Sequence, residues 1–207
     1  LLFLVLPLVS MAATPEDPSG TAPKEKEWTL LVFLNGHNNL DSYGKADINE
    51  MEKVGSTKDV NVVVQWASLD NGNTQRLFVT QDDSDEVKSL VVEDLPAVDM
   101  GDYRNLVEFV RWGAKHYPAK KYFVDVWNHG SGWHNLMAGG RSGGITISDI
   151  SYDDKTGNVI TTEQLGQAMN EASAAIGAYI DRFYNPDRRH SALAFKSPIR
   201  YEAMAAK

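Results

Sequence analysis

The chain has 207 residues, enough for one medium domain with a sizeable core, or for one domain with an appendage. With 43% hydrophobic residues and 10% aromatics it is not a wholly disordered chain, and a formal net charge of −8 argues against nucleic-acid binding by the molecule as a whole. It contains no cysteine, which excludes disulfides, cysteine-ligated zinc and a thiol nucleophile within these residues.

The first segment reads LLFLVLPLVSMAATPEDPSG. Its apolar run is too short for a bilayer span, which takes about 20 residues. Ser10-Met11-Ala12 fits a small-x-small cleavage site, so residues 1–13 are expected to be the remnant of a signal peptide and the protein to be secreted or periplasmic. The competing reading is a buried apolar strand. No initiator Met and no basic stretch precede the run, so the start is expected to be missing. No cysteine follows it to carry a lipid, and residues 14–27 form a Pro/Ser/Gly-rich, acidic linker.

From Trp28 the pattern becomes regular. WTLLVFLN (28–35), NVVVQWAS (61–68) and KYFVDVWN (121–128) are continuous apolar runs of strand length, as suits strands covered on both faces. Between the first two, Leu40, Ile48, Met51 and Val54 fall near one helical face, with Asp41 or Ser42 to cap and Gly55 to stop it. Arg76–Thr80 and Val87–Val92, joined by QDDSDE, read as a hairpin. Leu106, Phe109, Val110 and Gly113 repeat at helical spacing before Pro118. After a glycine-rich loop, Gly139–Gly144, come a short strand Ile145–Ile150 and a helix opened by TTEQLGQAM, where Thr161 or Thr162 can cap. Alternating strands and helices imply an α/β fold with a mainly parallel sheet.

In such sheets functional groups gather at the carboxyl ends of strands, and His129 in YFVDVWNHGSGWH sits at one. Gly130 and Gly132 let the backbone turn sharply there. An imidazole at that place can act as general base, and the Gly130 N–H could face an oxygen where negative charge develops. A structural or solvated histidine at a glycine turn accounts for the spacing equally well.

WTLLVFLNGHNNLD, INEMEKVGSTKDVNVVVQ, MGDYRNLVEFVRWGAKHYPAKKYFVDVWNHGSGWH and ITTEQLGQAM, in this order over about residues 28–170, resemble the clostripain family of secreted cysteine peptidases. The resemblance implies a caspase-like α/β sandwich that cleaves after Arg or Lys. It assigns His129 as the catalytic histidine and the Gly130 amide to the oxyanion hole. His37 departs from the family pattern, which commonly has an acidic residue there, so no role is assigned to it. In the family the nucleophilic cysteine follows the next sheet strand in an Asp-Ala-Cys-Leu-Met-like segment, and this chain has none. Ser131 lies too close to His129 to replace it and Ser173 falls within a helix, so the domain is expected to be incomplete and inactive.

The remaining segment differs in character. Residues 174–207 carry Arg182, Arg188, Arg189, Lys196, Arg200 and Lys207 against Asp181, Asp187 and Glu202, a balance of +3, which leaves −11 on residues 1–173. Ile176, Tyr179, Ile180 and Phe183 make a helical stripe, ended by Asn185-Pro186, and Ser197-Pro198 opens another short helix. YIDRFYNPDRRHSALAFKSPIRYEAM resembles the extreme C-terminus of insertion-sequence transposases of the retroviral-integrase superfamily, with Ala194 where glycine is usual. The expected organisation is therefore a truncated peptidase domain over 28–173 and a transposase-derived helical tail over 174–207, with the change of identity near Asn170–Ala175. Loss of the strand next to 121–128 would leave a sheet edge open.

Two other functions compete with the inactive peptidase homologue. Arg188, Arg189 and His190 could contact phosphates, but three net positive charges beside an acidic body argue against DNA as a partner. A non-catalytic pseudo-enzyme that binds basic peptides is the other. Asp149, Asp153, Asp154 and Asn158 lack the spacing of a calcium loop and read as a solvated acidic turn, so no metal or other cofactor is expected; the family resemblance alone leaves calcium open.

Overall fold

The protein, as a computed structural model, is described over residues 24–129 and 149–179. Residues 1–23, residues 130–148 with Gly130 and Gly139–Gly144, and residues 180–207 with Arg188, Arg189 and His190 lie outside these residues.

The elements run β1 (Lys26–Gly36), α1 (Asp41–Glu52), β2 (Val60–Ser68), β3 (Thr74–Phe78), β4 (Leu90–Leu95), α2 (Tyr103–His116), β5 (Ala119–Trp127), β6 (Asp149–Tyr152), β7 (Val159–Thr161) and α3 (Thr162–Tyr179). Five strands form one sheet in the order β4-β3-β2-β1-β5. Its centre is parallel, with β1 pairing to β2 and to β5, and the hairpin β3–β4 adds antiparallel strands at one edge. β6 and β7 pair separately.

Successive side chains of a strand point to opposite faces, and β1 has helices on both. Leu31 and Phe33 enter a core with Val63, Leu106, Phe109 and Val110 of α2 and Ala168 and Ala172 of α3. Val32 and Leu34 enter a second core with Val64, Trp66, Leu77 and Ile48 of α1. This two-sided burial is why β1 and β2 read as continuous apolar runs, and each large apolar side chain so buried contributes about 1.5–3 kcal/mol. The result is a three-layer α/β/α arrangement. β5 lies at the end of the strand order among the described residues, and its Phe123 is 55% exposed.

Local signals were partly overruled by packing. At α2 the Asp102 side chain accepts from the Arg104 N–H as an N-cap should, and at α3 Thr161 and Gln164 exchange side-chain and backbone hydrogen bonds in a capping box. α1 is capped by neither Asp41 nor Ser42. It starts after Leu40 with no side-chain cap, and the Leu40 N–H is itself taken by Asn38 Oδ1 at 2.8 Å in the preceding turn. Gly55, at φ 65°, closes that helix as expected, but Val54 is turned out to solvent rather than sharing the apolar face. The hairpin strands begin two and three residues away from their expected starts, at Thr74 and Leu90, with an irregularity between Arg76 and Leu77. α3 runs without interruption through Asn170–Ala175.

Gly101, in the turn before α2, is held against another backbone. A Cβ built there would lie 2.2 Å from the Asn158 carbonyl oxygen. Gly101→Ala is expected to destabilise the fold by about 1–3 kcal/mol, as overpacking does, since neither backbone can step aside as a side-chain tip would. Urea unfolding monitored by tryptophan fluorescence measures it.

Candidate active site

Because β2, β1 and β5 are parallel, their carboxyl ends lie along one edge of the sheet. Three segments meet there: the loop after β1 (His37–Leu40), the end of β5 (Asn128 and His129), and the strand and turn around Ser151–Asn158. Asparagine side chains join them. Asn128 donates to the Asn35 carbonyl at 3.1 Å and accepts from the Tyr152 N–H at 3.3 Å. Asn35 donates to Ser151 Oγ and to the Tyr152 carbonyl, both at 2.9 Å, and accepts from the His37 N–H. Asn38 donates to the same Tyr152 carbonyl at 3.2 Å. Ser151 in turn donates to the Met100 carbonyl.

His129 lies two residues beyond the end of β5, as its sequence suggests, and it is exposed. Its Nε2 is 2.7 Å from Asn39 Oδ1. Gly130, the expected oxyanion donor, lies outside the described residues, as does Ser131. Ser173 is an exposed residue of α3. The residues Arg188, Arg189 and His190 likewise fall outside.

His37 and Asp153 form the second feature of this edge. His37 is 1% exposed and Asp153 is fully buried, with Nδ1 to Oδ2 at 2.9 Å. A carboxylate partner makes His37 Nδ1 the donor nitrogen. The same Oδ2 accepts from the Met100 N–H at 2.9 Å, and Oδ1 accepts from the N–H groups of Lys155 and Thr156 at 2.8 and 3.2 Å. Burial pushes the Asp153 carboxyl up, but the hydrogen bonds from His37 and from backbone amides outweigh it and hold its pKa below the ordinary value.

This corrects the reading of 149–158 as a solvated acidic turn. Asp154–Asn158 are exposed, but Asp153 is the internal anchor of the edge. The residues do not fit a calcium site either. Both Asp153 oxygens are taken by N–H donors, and the Asn158 amide donates to Asp99. Among the described residues no group of three or more His, Cys, Asp or Glu is placed to hold a metal ion. What sequence reasoning missed here is the asparagine set, above all Asn39. Its only signal was the cluster NGHNNL after an apolar strand.

The sequence model of the clostripain family (Peptidase_C11) matches residues 32–181, well over half of the chain, and the protein belongs to this family. A secreted C11 cysteine protease from Bacteroides thetaiotaomicron, solved with an irreversible peptide inhibitor, superposes with a TM-score of 0.53 at 24% identity. The match covers 70% of this chain and 39% of that one. A cysteine protease of B. fragilis gives a TM-score of 0.46 at 24% identity, covering 56% of this chain and 98% of that one. No curated protein matches in sequence. The fold is thus the caspase-like α/β fold of C11 proteases. No helix among the described residues is long and apolar enough to cross a membrane.

Proposed function

We propose that these residues form the histidine-bearing half of a clostripain-like cysteine endopeptidase site and do not hydrolyse peptides by themselves. The observation that carries this is His129, exposed at the carboxyl end of β5 in a clostripain-family chain that contains no cysteine. His129 is the general base and the Gly130 amide the oxyanion donor. The substrate class is a peptide with Arg or Lys before the scissile bond, and the N-terminal segment directs secretion.

A base without a nucleophile does not complete acyl transfer. The imidazole can take a proton from a thiol and return it to the leaving amine, but it needs that thiol within hydrogen-bond reach. The family-like sequence gives way to transposase-like sequence before any such residue occurs. The change of identity lies near Asn170–Ala175 in this reading, although the family match itself extends to residue 181. Inverted repeats in the DNA near these codons, with an Asp-Ala-Cys-Leu-Met-like coding segment beyond them, would support that origin, and an uninterrupted gene with neither would overturn it.

The direct test is hydrolysis of fluorogenic arginyl and lysyl amides by the purified chain. No turnover above buffer is expected, and His129→Ala is expected to behave identically. Hydrolysis that disappears in His129→Ala would overturn the inactivity and keep the role of the histidine.

A further inference from the structure

We propose that Asn39 is the positioning residue of His129. Its side-chain carbonyl accepts the Nε2–H, so the neutral ring keeps its other nitrogen, Nδ1, as the base. This rests on the reading of His129 as the general base and adds which nitrogen does that work.

The distance of 2.7 Å between His129 Nε2 and Asn39 Oδ1 is that of a well-formed hydrogen bond. Both side chains are exposed, where a bond of this kind adds little to folding stability. Each is also presented next to a neighbour whose side chain is tied down. Asn38, next to Asn39, accepts the Leu40 N–H with Oδ1 and donates to the Tyr152 carbonyl. Asn128, next to His129, is tied to the Asn35 carbonyl and to the Tyr152 N–H. The two neighbours therefore share one anchor, Tyr152, whose N–H and C=O point at the two loops. An acceptor and an imidazole held in register this way need little rearrangement to meet, which is what sets a histidine tautomer and ring orientation.

The consequence is specific. With Asn39 on Nε2, an incoming thiol or hydroxyl would be deprotonated at Nδ1. Were the Asn39 amide turned the other way, its NH2 would face Nε2, the proton would sit on Nδ1, and the accepting nitrogen would already be occupied.

The test uses the full 207-residue chain labelled with 15N-histidine. Long-range 1H–15N spectra distinguish the two neutral tautomers of each ring, and His129→Gln assigns the signal. His129 is expected to be the Nε2–H tautomer. His37, whose Nδ1 faces Asp153, is expected to be the opposite one, and so reports that the fold is intact. Asn39→Leu is expected to raise the Nδ1–H share of His129 about fivefold, the shift that one hydrogen bond of ordinary net strength supports, with His37 unchanged. Asn39→Asp keeps an acceptor at the same place and is expected to restore the Nε2–H form. An Nδ1–H tautomer in the unaltered chain, or an unchanged tautomer ratio in Asn39→Leu, would overturn the proposal. No turnover is read, so failure of the peptidase reading and failure of this one are told apart.

Discussion

Asp153→Ala is expected to destabilise the protein by about 3–5 kcal/mol, the range seen when one partner of a buried pair is removed. The substitution strips the His37 Nδ1–H and three backbone N–H groups, those of Met100, Lys155 and Thr156, of their acceptor. Each such donor left buried carries a desolvation penalty of about 1–3 kcal/mol, and local rearrangement toward water recovers only part of it. Asp153→Asn separates charge from shape. It keeps the volume but turns one accepting oxygen into a donor facing donors, so it too is expected to be destabilising. Urea unfolding of the three proteins gives the ranking, and a loss below 1 kcal/mol for Asp153→Ala would remove Asp153 from its anchoring role.

The same carboxylate sets a pH dependence. Its folded pKa lies below the ordinary value of 3.8, so the unfolded chain binds its proton first as the pH falls. The stability it contributes is fully present above that value and is lost as the pH drops through the lower, folded value. The gap between the wild type and Asp153→Asn is therefore expected to be flat from neutrality to about pH 5 and to shrink in stronger acid. A gap that widens on acidification would contradict the assignment.

Arg76→Ala is the second large effect, expected at about 3 kcal/mol, the lower end of the range for a broken buried pair. The guanidinium is 3% exposed and donates to Gln65 Oε1 at 2.9 Å, to Glu93 at 2.8 Å and to Glu108, while lying 4.4 Å from the Trp112 ring centroid. Glu93 and Glu108 are themselves 32% and 59% exposed, so water takes them over when the cation goes, which keeps the loss from reaching the top of that range. What water does not repair is the buried Gln65 oxygen and the space over Trp112. Arg76→Met fills that space and is expected to recover about half of the loss, whereas Arg76→Lys keeps the charge but not the planar stacking and forked donors. Thermal unfolding of the three variants orders these contributions. Equal losses for Met and Ala would show that packing over Trp112 contributes nothing.

The central strands were legible because burial on both faces writes itself into composition. Leu31, Phe33, Val32 and Leu34 alternate between two cores, and no polar residue interrupts the run to betray a solvent face. α2 was legible for the complementary reason: Leu106, Phe109, Val110 and Gly113 all meet one core. The start of α1 was not, because neither Asp41 nor Ser42 caps it and the helix begins after Leu40 with no side-chain cap. His129 could be placed at a strand end from YFVDVWNHG alone. Its partner Asn39 could not, since an asparagine beyond a strand reads as turn chemistry whether or not a histidine waits across the loop. Asp153 was misread for a related reason. In the string YDDKTGN, acidic letters and glycine look like surface, and the donors that hold Asp153 inside include a histidine 116 residues earlier in the chain and the Met100 N–H, neither visible locally.

That sequence separation bears on the order in which the molecule acquires its parts. β1 is the first strand of the sheet yet pairs with β5, and the loop behind it is closed by residues near 153. Contacts this distant along the chain are slow to close, since loop entropy must be overcome before they contribute. During synthesis β1, α1, β2 and the β3–β4 hairpin emerge from the ribosome with His37 still unpartnered. The carboxyl edge is thus the last region to settle, and a nascent chain paused before Asp153 holds all five strands of the main sheet but lacks the carboxylate that anchors His37 at that edge.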